Sequence, residues 1–479
     1  MNKKSKKLFK NTLLFFVGSI GSKFIQFILV PLYTYTLTKE QYGKTDLLLT
    51  LVNFLMPIFS IQLTDALLRF GLDKKINKDN LFNVVFKCLF VGSFASLIFS
   101  PLLMLNDELK DMIPFFFLIL NLRIYRDILA IILKIEEKND KFAIDSILYT
   151  LVLCISSIIF LVILKMNTVG YLLSYVVANI VSIIYILSKT KLSIKKNILK
   201  KTDKKLLKKV VIYSIPMIIN SISFWITNAS DRFMLNYMVN ISVVGLYAVA
   251  AKIPTIISTF TGIFNQAWLI SSIDEYEGER EKNFYNNTFK YYCGISIILC
   301  SIMLVFLKLF MKIYVSPEYY IAWKYSSILI VSAVFSGVCA FLNSIFYAYK
   351  EIKKSTISTF VGAILNIVLN LVLIPKFSIY GASIATLISW MYITFERIYL
   401  INKFLNLKID IKTNIISIIL LIADLLILNL ISNNLISYSI MIINMIITFV
   451  AQKDIIRQLV NILKTTIKRK VNNNGLSKG

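Results

Sequence analysis

Histidine is absent from this chain of 479 residues. Its absence removes the commonest transition-metal ligand and the side chain that most often serves as a general base near neutral pH. Cysteine is scarce. Cys88, Cys154, Cys293, Cys300 and Cys339 all lie in apolar runs, and no two have CxxC spacing. They read as buried thiols, so neither a metal site nor a redox site is expected, and no cofactor is implied. Charge is also sparse: charged residues make up 16% of the chain and apolar residues 57%. Soluble domains hold about 25% and about 45–50%.

What the chain has in abundance is long apolar runs. One helical crossing of a bilayer takes about 20 predominantly apolar residues. The runs predict fourteen transmembrane helices, at roughly 11–37, 45–68, 81–104, 112–133, 142–164, 169–188, 210–237, 243–270, 285–310, 321–348, 355–374, 379–400, 412–430 and 434–451. The expected fold class is an all-α polytopic membrane protein. The first residues, MNKKSKKLFKNTLLFF, imitate a signal peptide, but their apolar run continues past Lys23 without a small-residue cleavage site. That reads as an uncleaved first helix.

The net charge of +27 would suggest nucleic acid in a soluble protein. Here the basic residues sit between the apolar runs, where they set topology and contact anionic lipid headgroups, so no nucleic acid is expected. The N-terminal tail, the 69–80 and 350–354 loops and the C-terminal tail are basic, and 189–209 holds ten lysines against Asp203. The opposite loops (TKEQYGK, NDELKD, KMN, VNIS, SNN) are short and nearly bare. The positive-inside rule then puts both termini in the cytoplasm. In IKKNILKKTDKKLLKKV (194–210), apolar Ile194, Ile198, Leu199, Leu206 and Val210 recur at helical spacing between lysine pairs, the pattern of an amphipathic helix on the inner leaflet, with a solvated linker as the alternative.

The chain also resembles itself. An offset of 202 lays TLTKEQYGKTDLL (36–48) over MVNISVVGLYAVA (238–250) and Gly43 on Gly245. An offset near 211 places Gly170 on Gly381. Two parallel six-helix lobes are expected, 1–188 and 210–400, joined by the 189–209 crossover, with helices 13 and 14 in 401–451 and a basic tail over 452–479. Transporters built from parallel repeats bind substrate between the halves and rock one half against the other.

Polar residues mark that interface. Ser19, Ser22, Lys23 and Gln26 share one face of the first helix, and Arg123, Arg126 and Asp127 one face of the fourth. The seventh carries Asn220, Thr227, Asn228, Asp231 and Arg232, the eighth a stripe of Lys252, Thr255, Thr259 and Gln266, and the eleventh Asn366 and Asn370 one turn apart. Near helix ends, Arg69, Lys87, Lys308 and Arg397 fit local ion pairs, packing hydrogen bonds or snorkelling. Deeper cations repel one another in hydrocarbon unless they face water or an anion. Lys23, Arg123, Arg126, Lys252 and Arg232 are thus expected to bind an anionic substrate in a cavity, with Asp127 and Asp231 as counter-ions or coupling groups. Gln26, Asn220, Asn228, Asn366 and Asn370 would line the same cavity.

Three stretches resemble one family. YSIPMIINSISFWITNASDRFMLNYMVNISVVGLYAVAAKIP (213–254), NIVLNLVLIPKFSIYGASIATLISW (366–390) and FVGSIGSKFIQFILVPLYTYTLTKEQYG (16–43) are similar to helices 7–8, 11–12 and 1 of bacterial polysaccharide repeat-unit flippases of the Wzx type. These belong to the multidrug/oligosaccharidyl-lipid/polysaccharide (MOP) superfamily. The resemblance implies a V-shaped pair of lobes like that of multidrug extrusion transporters. It also implies a substrate, an undecaprenyl diphosphate-linked oligosaccharide moved from the cytoplasmic to the outer face for capsule or O-antigen synthesis. The polymerase of the same pathway is an implied partner.

Three rivals are weighed against this. A lipid II flippase has a cationic cavity and fourteen helices as well. A multidrug antiporter binds cationic drugs and needs a carboxylate-rich cavity, whereas deep cations outnumber deep anions here. A glycan polymerase or ligase needs sizeable outer loops with acid/base groups. The longest outer loop here is roughly a dozen residues around KIYVSPEYY, with Glu318 its lone carboxylate.

Overall fold

A computed structural model describes residues 21, 23–73, 75–190, 202–274, 281–349, 351–405, 411–431, 433–453 and 455–457. Every regular element among them is helical. In chain order these are α1 (23–36), α2 (Lys39–Phe59), α3 (Leu63–Gly71), α4 (Lys78–Phe99), α5 (Ile113–Ile135), α6 (Asn139–Ser157), α7 (Asn167–Lys189), α8 (Lys204–Met238) and α9 (Ile241–Lys252). Then follow α10 (Thr255–Asp274), α11 (Glu281–Tyr314), α12 (Trp323–Ala348), α13 (Ile352–Phe377), α14 (Ile379–Asn402), α15 (Ile411–Leu430) and α16 (Asn434–Ala451). Eight described helices are long and apolar enough to cross a membrane, or up to ten if each bent pair is one span. The protein is a multi-pass membrane protein. Helix α5 has the length of a crossing, but Arg123, Arg126 and Asp127 interrupt its apolar run.

Local chemistry sets the helix ends. Thr38 caps α2: its side chain accepts from Gln41 N at 3.2 Å while Gln41 Oε1 accepts from Thr38 N at 3.1 Å, a reciprocal capping box. Past Pro57 that helix breaks at Ile61 and Gln62, whose φ values of 50° and 47° are left-handed, and α3 leaves at 49°. Asp203 Oδ1 accepts from Lys205 N and Leu206 N, so the last lysines of the basic crossover open α8, with Leu206 and Val210 buried in it. Residues 191–201 of the crossover, most of the two basic tails and most of the acidic stretch DEYEGEREK (274–282) lie outside the described residues.

Many large apolar side chains face outward, alongside a buried apolar core. On α4, Phe90, Phe94 and Ile98 form a stripe 60–72% exposed, while Asn83 and Ser96 are buried. In lipid there is no penalty for exposing phenylalanine, and polar side chains find their partners inside. Packing divides the chain into two compact units. One comprises Met1–Lys252, Tyr314–Tyr320 and Ala363–Ala385; the other comprises Ile253–Ile313, Ile321–Gly362 and Thr386–Gly479.

In the second unit, Trp268, Phe341 and Tyr292 anchor an aromatic core, with Trp268 and Phe341 stacked 4.5 Å apart. Arg397 is buried there among neutral oxygens. It donates to Ser358 Oγ (3.0 Å), Thr359 Oγ1 (2.8 Å) and the carbonyls of Cys339 (2.7 Å) and Ser355 (3.2 Å). Lys308 lies 4.4 Å from the Trp323 ring centroid. Both are packing contacts inside one unit.

Candidate functional site: a cationic cavity

The first unit holds a cavity of about 570 Å³. Among the described residues its wall draws on seven helices. Lys23 and Gln26 come from α1; Asp46, Leu49, Thr50 and Asn53 from α2; Arg123, Arg126 and Asp127 from α5. Ser146, Tyr149 and Thr150 (α6), Tyr175 (α7), Trp225 and Arg232 (α8) and Lys252 (α9) complete it. Five cations thus face two carboxylates, and the volume lies in the range of small-molecule sites, about 300–1,000 Å³.

The cations are held differently. Arg126 is anchored behind the wall: Nη2 donates to Asp145 Oδ2 at 2.9 Å and Nε to Ser182 Oγ at 2.7 Å. Ser182 in turn donates to Asp145 Oδ1, and Asp145 and Ser182 are both fully buried. The guanidinium lies 4.1 Å from the Tyr149 ring centroid, and Nη1 is 3.7 Å from Asp127. Arg126 therefore has only part of its donor fork left for a ligand. Arg123 donates to Asn53 Oδ1 across from α5 to α2. Lys23 and Gln26 have exposed side chains.

Arg232 donates from Nε to Asp46 Oδ2 at 2.6 Å, an ion pair between α8 and α2. Its neighbour in sequence, Asp231, points elsewhere. Successive side chains on an α-helix diverge by about 100°. Asp231 accepts from Tyr247 Oη at 2.5 Å and from Asn370 Nδ2 at 2.6 Å. Asn370 also donates to Asn366 Oδ1 at 3.1 Å, which accepts from Ser230 Oγ at 3.0 Å. Asp231, Asn366 and Asn370 therefore form a buried polar cluster off the cavity wall. Asn220 and Asn228 lie outside the residues whose side chains are described.

Two site carboxylates escape the sequence reading, Asp46 and Asp145. Asp145 had a legible signal: it precedes Ser146, Tyr149 and Thr150 on a polar face of α6. Asp46 had a weaker one, sharing the spacing of Thr50 and Asn53 in α2.

Compared with known families, residues 8–270 match the polysaccharide biosynthesis protein family, more than half of the chain. The chain belongs to that family. Residues 216–372 also match the MatE family. A curated relative, an uncharacterized membrane protein of Methanocaldococcus jannaschii, is 28% identical over 212 residues, which is 43% of this chain and 41% of that protein. The match thus spans less than half of either protein. Among solved structures, the lipid II flippase MurJ in an inward closed conformation superposes with a TM-score of 0.69 at 15% identity, covering 94% of this chain and all of that one. An inward-facing multidrug resistance MATE transporter gives 0.66 at 12% identity, covering 82% of this chain and 94% of its own. These two neighbours, a flippase and a multidrug transporter, share the fold of this chain.

Proposed function

We propose that this protein flips a polyprenyl diphosphate-linked oligosaccharide repeat unit from the cytoplasmic to the outer face of the cell membrane, for a surface polysaccharide such as capsule or O-antigen. One observation carries the reading. Among the described residues, a polar cavity between membrane helices is lined by Lys23, Arg123, Arg126, Arg232 and Lys252 against only Asp46 and Asp127. A diphosphate loses its hydration on leaving water, and ammonium and guanidinium groups replace it. Tyr149, Tyr175 and Trp225 add aromatic surface beside the cations, which suits sugar rings. The polyprenyl tail stays in lipid while the head group crosses.

In this reading the two repeats joined at 189–209 alternate access, both termini are cytoplasmic, and the polymerase of the pathway takes the product. The protein performs no covalent chemistry. Lipid II carries a diphosphate too, so the cavity chemistry also suits it, whereas a cationic drug meets a wall of its own sign. The test is a translocation assay in proteoliposomes. Fluorescent polyprenyl diphosphate-linked oligosaccharide should become accessible on the far leaflet only with the protein present. Equal or faster movement of lipid II would reassign the substrate, and movement of neither would overturn the reading.

A further inference from the structure

An anion site needs explaining when it contains acids. Asp127 lies beside Arg126 at 3.7 Å, with its side chain partly exposed. Asp46 is different. It is 6% exposed, lies on the cavity wall, and its carboxylate sits on Arg232, another wall residue, at 2.6 Å. Lys252, also on the wall, lies within reach of the charge of both.

We propose that Asp46 is a resident counter-anion. Its carboxylate occupies the position on Arg232 that a phosphate oxygen of the substrate takes, so that binding exchanges one anion for another. The proposal rests on the flippase reading above. A carboxylate and a phosphate present the same chemistry to a guanidinium, acceptor oxygens at charge-assisted hydrogen-bond distance. With the cavity empty, Asp46 offsets the charge of a largely buried guanidinium. With the substrate bound, only the difference between two anionic partners remains as affinity, so the cargo is held without being trapped. The pair also links α2 to α8. Displacing Asp46 unties that link when cargo arrives, which couples loading to helix movement.

The test uses the full-length protein in nanodiscs and inorganic pyrophosphate as probe, at matched ionic strength because exposed charges are screened. Calorimetric titration of wild type and Asp46→Asn should show about tenfold tighter binding by the variant. The variant should also melt at a lower temperature without pyrophosphate, and pyrophosphate should raise its melting temperature by more than it raises that of wild type, because the variant binds more tightly. Asp46→Ser provides the same comparison if the Asn variant does not fold. In Asp46→Asn/Arg232→Gln the gain over Arg232→Gln should vanish. Unchanged or weaker binding by the Asp46 variants, with wild type still binding, would overturn the exchange and leave the anion cavity standing. Absence of binding in every variant would remove both.

Discussion

Gly43 and Gly245 meet backbone to backbone. A Cβ on Gly43 would strike the carbonyl oxygen of Ile241, and one on Gly245 the carbonyl oxygen of Lys39. The contact is reciprocal at one offset: 43 and 245 are 202 apart, as are 39 and 241. Each helix shows the other the same position, as a local two-fold axis requires. The offset at which the chain resembles itself is thus the offset at which α2 and α9 cross.

Alanine at either glycine should be costly. Overpacking a close contact costs about 1–3 kcal/mol, and here the obstructing atoms are backbone. Gly43→Ala and Gly245→Ala should each lower the melting temperature of the purified protein, with a combined effect that departs from the sum. Gly262→Ala is the control: a Cβ there meets nothing within 4 Å, and helix propensity alone favours alanine by about 0.8–1.0 kcal/mol.

Removing Asp145 should hurt more than removing Asp127. Asp145→Ala strands Arg126 in a buried setting, at about 3–5 kcal/mol. Asp127, at 3.7 Å and with its side chain 32% exposed, should cost about 0–1 kcal/mol. Thermal unfolding of both variants checks the order, and equal losses would contradict the anchoring role assigned to Asp145.

Arg123→Ala, Lys252→Ala and Lys23→Ala should each reduce translocation by roughly tenfold or more. Lys23→Ala should do so with unchanged abundance and melting temperature, since its side chain is exposed. Arg126→Ala should lose both activity and stability, because its guanidinium also holds α6 and α7 through Asp145 and Ser182. Full activity of Arg123→Ala/Lys252→Ala would restrict those cations to packing.

Topology is checked by cysteine labelling. Asp107, whose side chain is 94% exposed, suits an outer reporter, and Asp107→Cys should react with an impermeant maleimide in intact cells. Ser193→Cys should react only after permeabilisation. Labelling of Ser193→Cys from outside would invert the orientation and with it the direction of transport.

Much of this protein was legible before any coordinates. Apolar runs announce helices because a spanning segment must satisfy its own backbone, and i, i+3, i+4 spacing puts Arg123, Arg126 and Asp127 on one face however the helices pack. What spacing along one helix cannot carry is the choice of partner. Arg232 stands beside Asp231 in sequence yet pairs with Asp46, 186 residues away, because helical rotation separates neighbours and packing brings α2 to α8. Arg126 is spent on Asp145, 19 residues on and one helix over. Asn366 and Asn370 turn to a closed cluster around Asp231 instead of the cavity. The sequence alone determined that Lys23, Arg123, Arg126, Arg232 and Lys252 interrupt apolar runs, and on which helices. Which of them neutralise one another, and which are left facing the cavity, was decided only by how the helices pack.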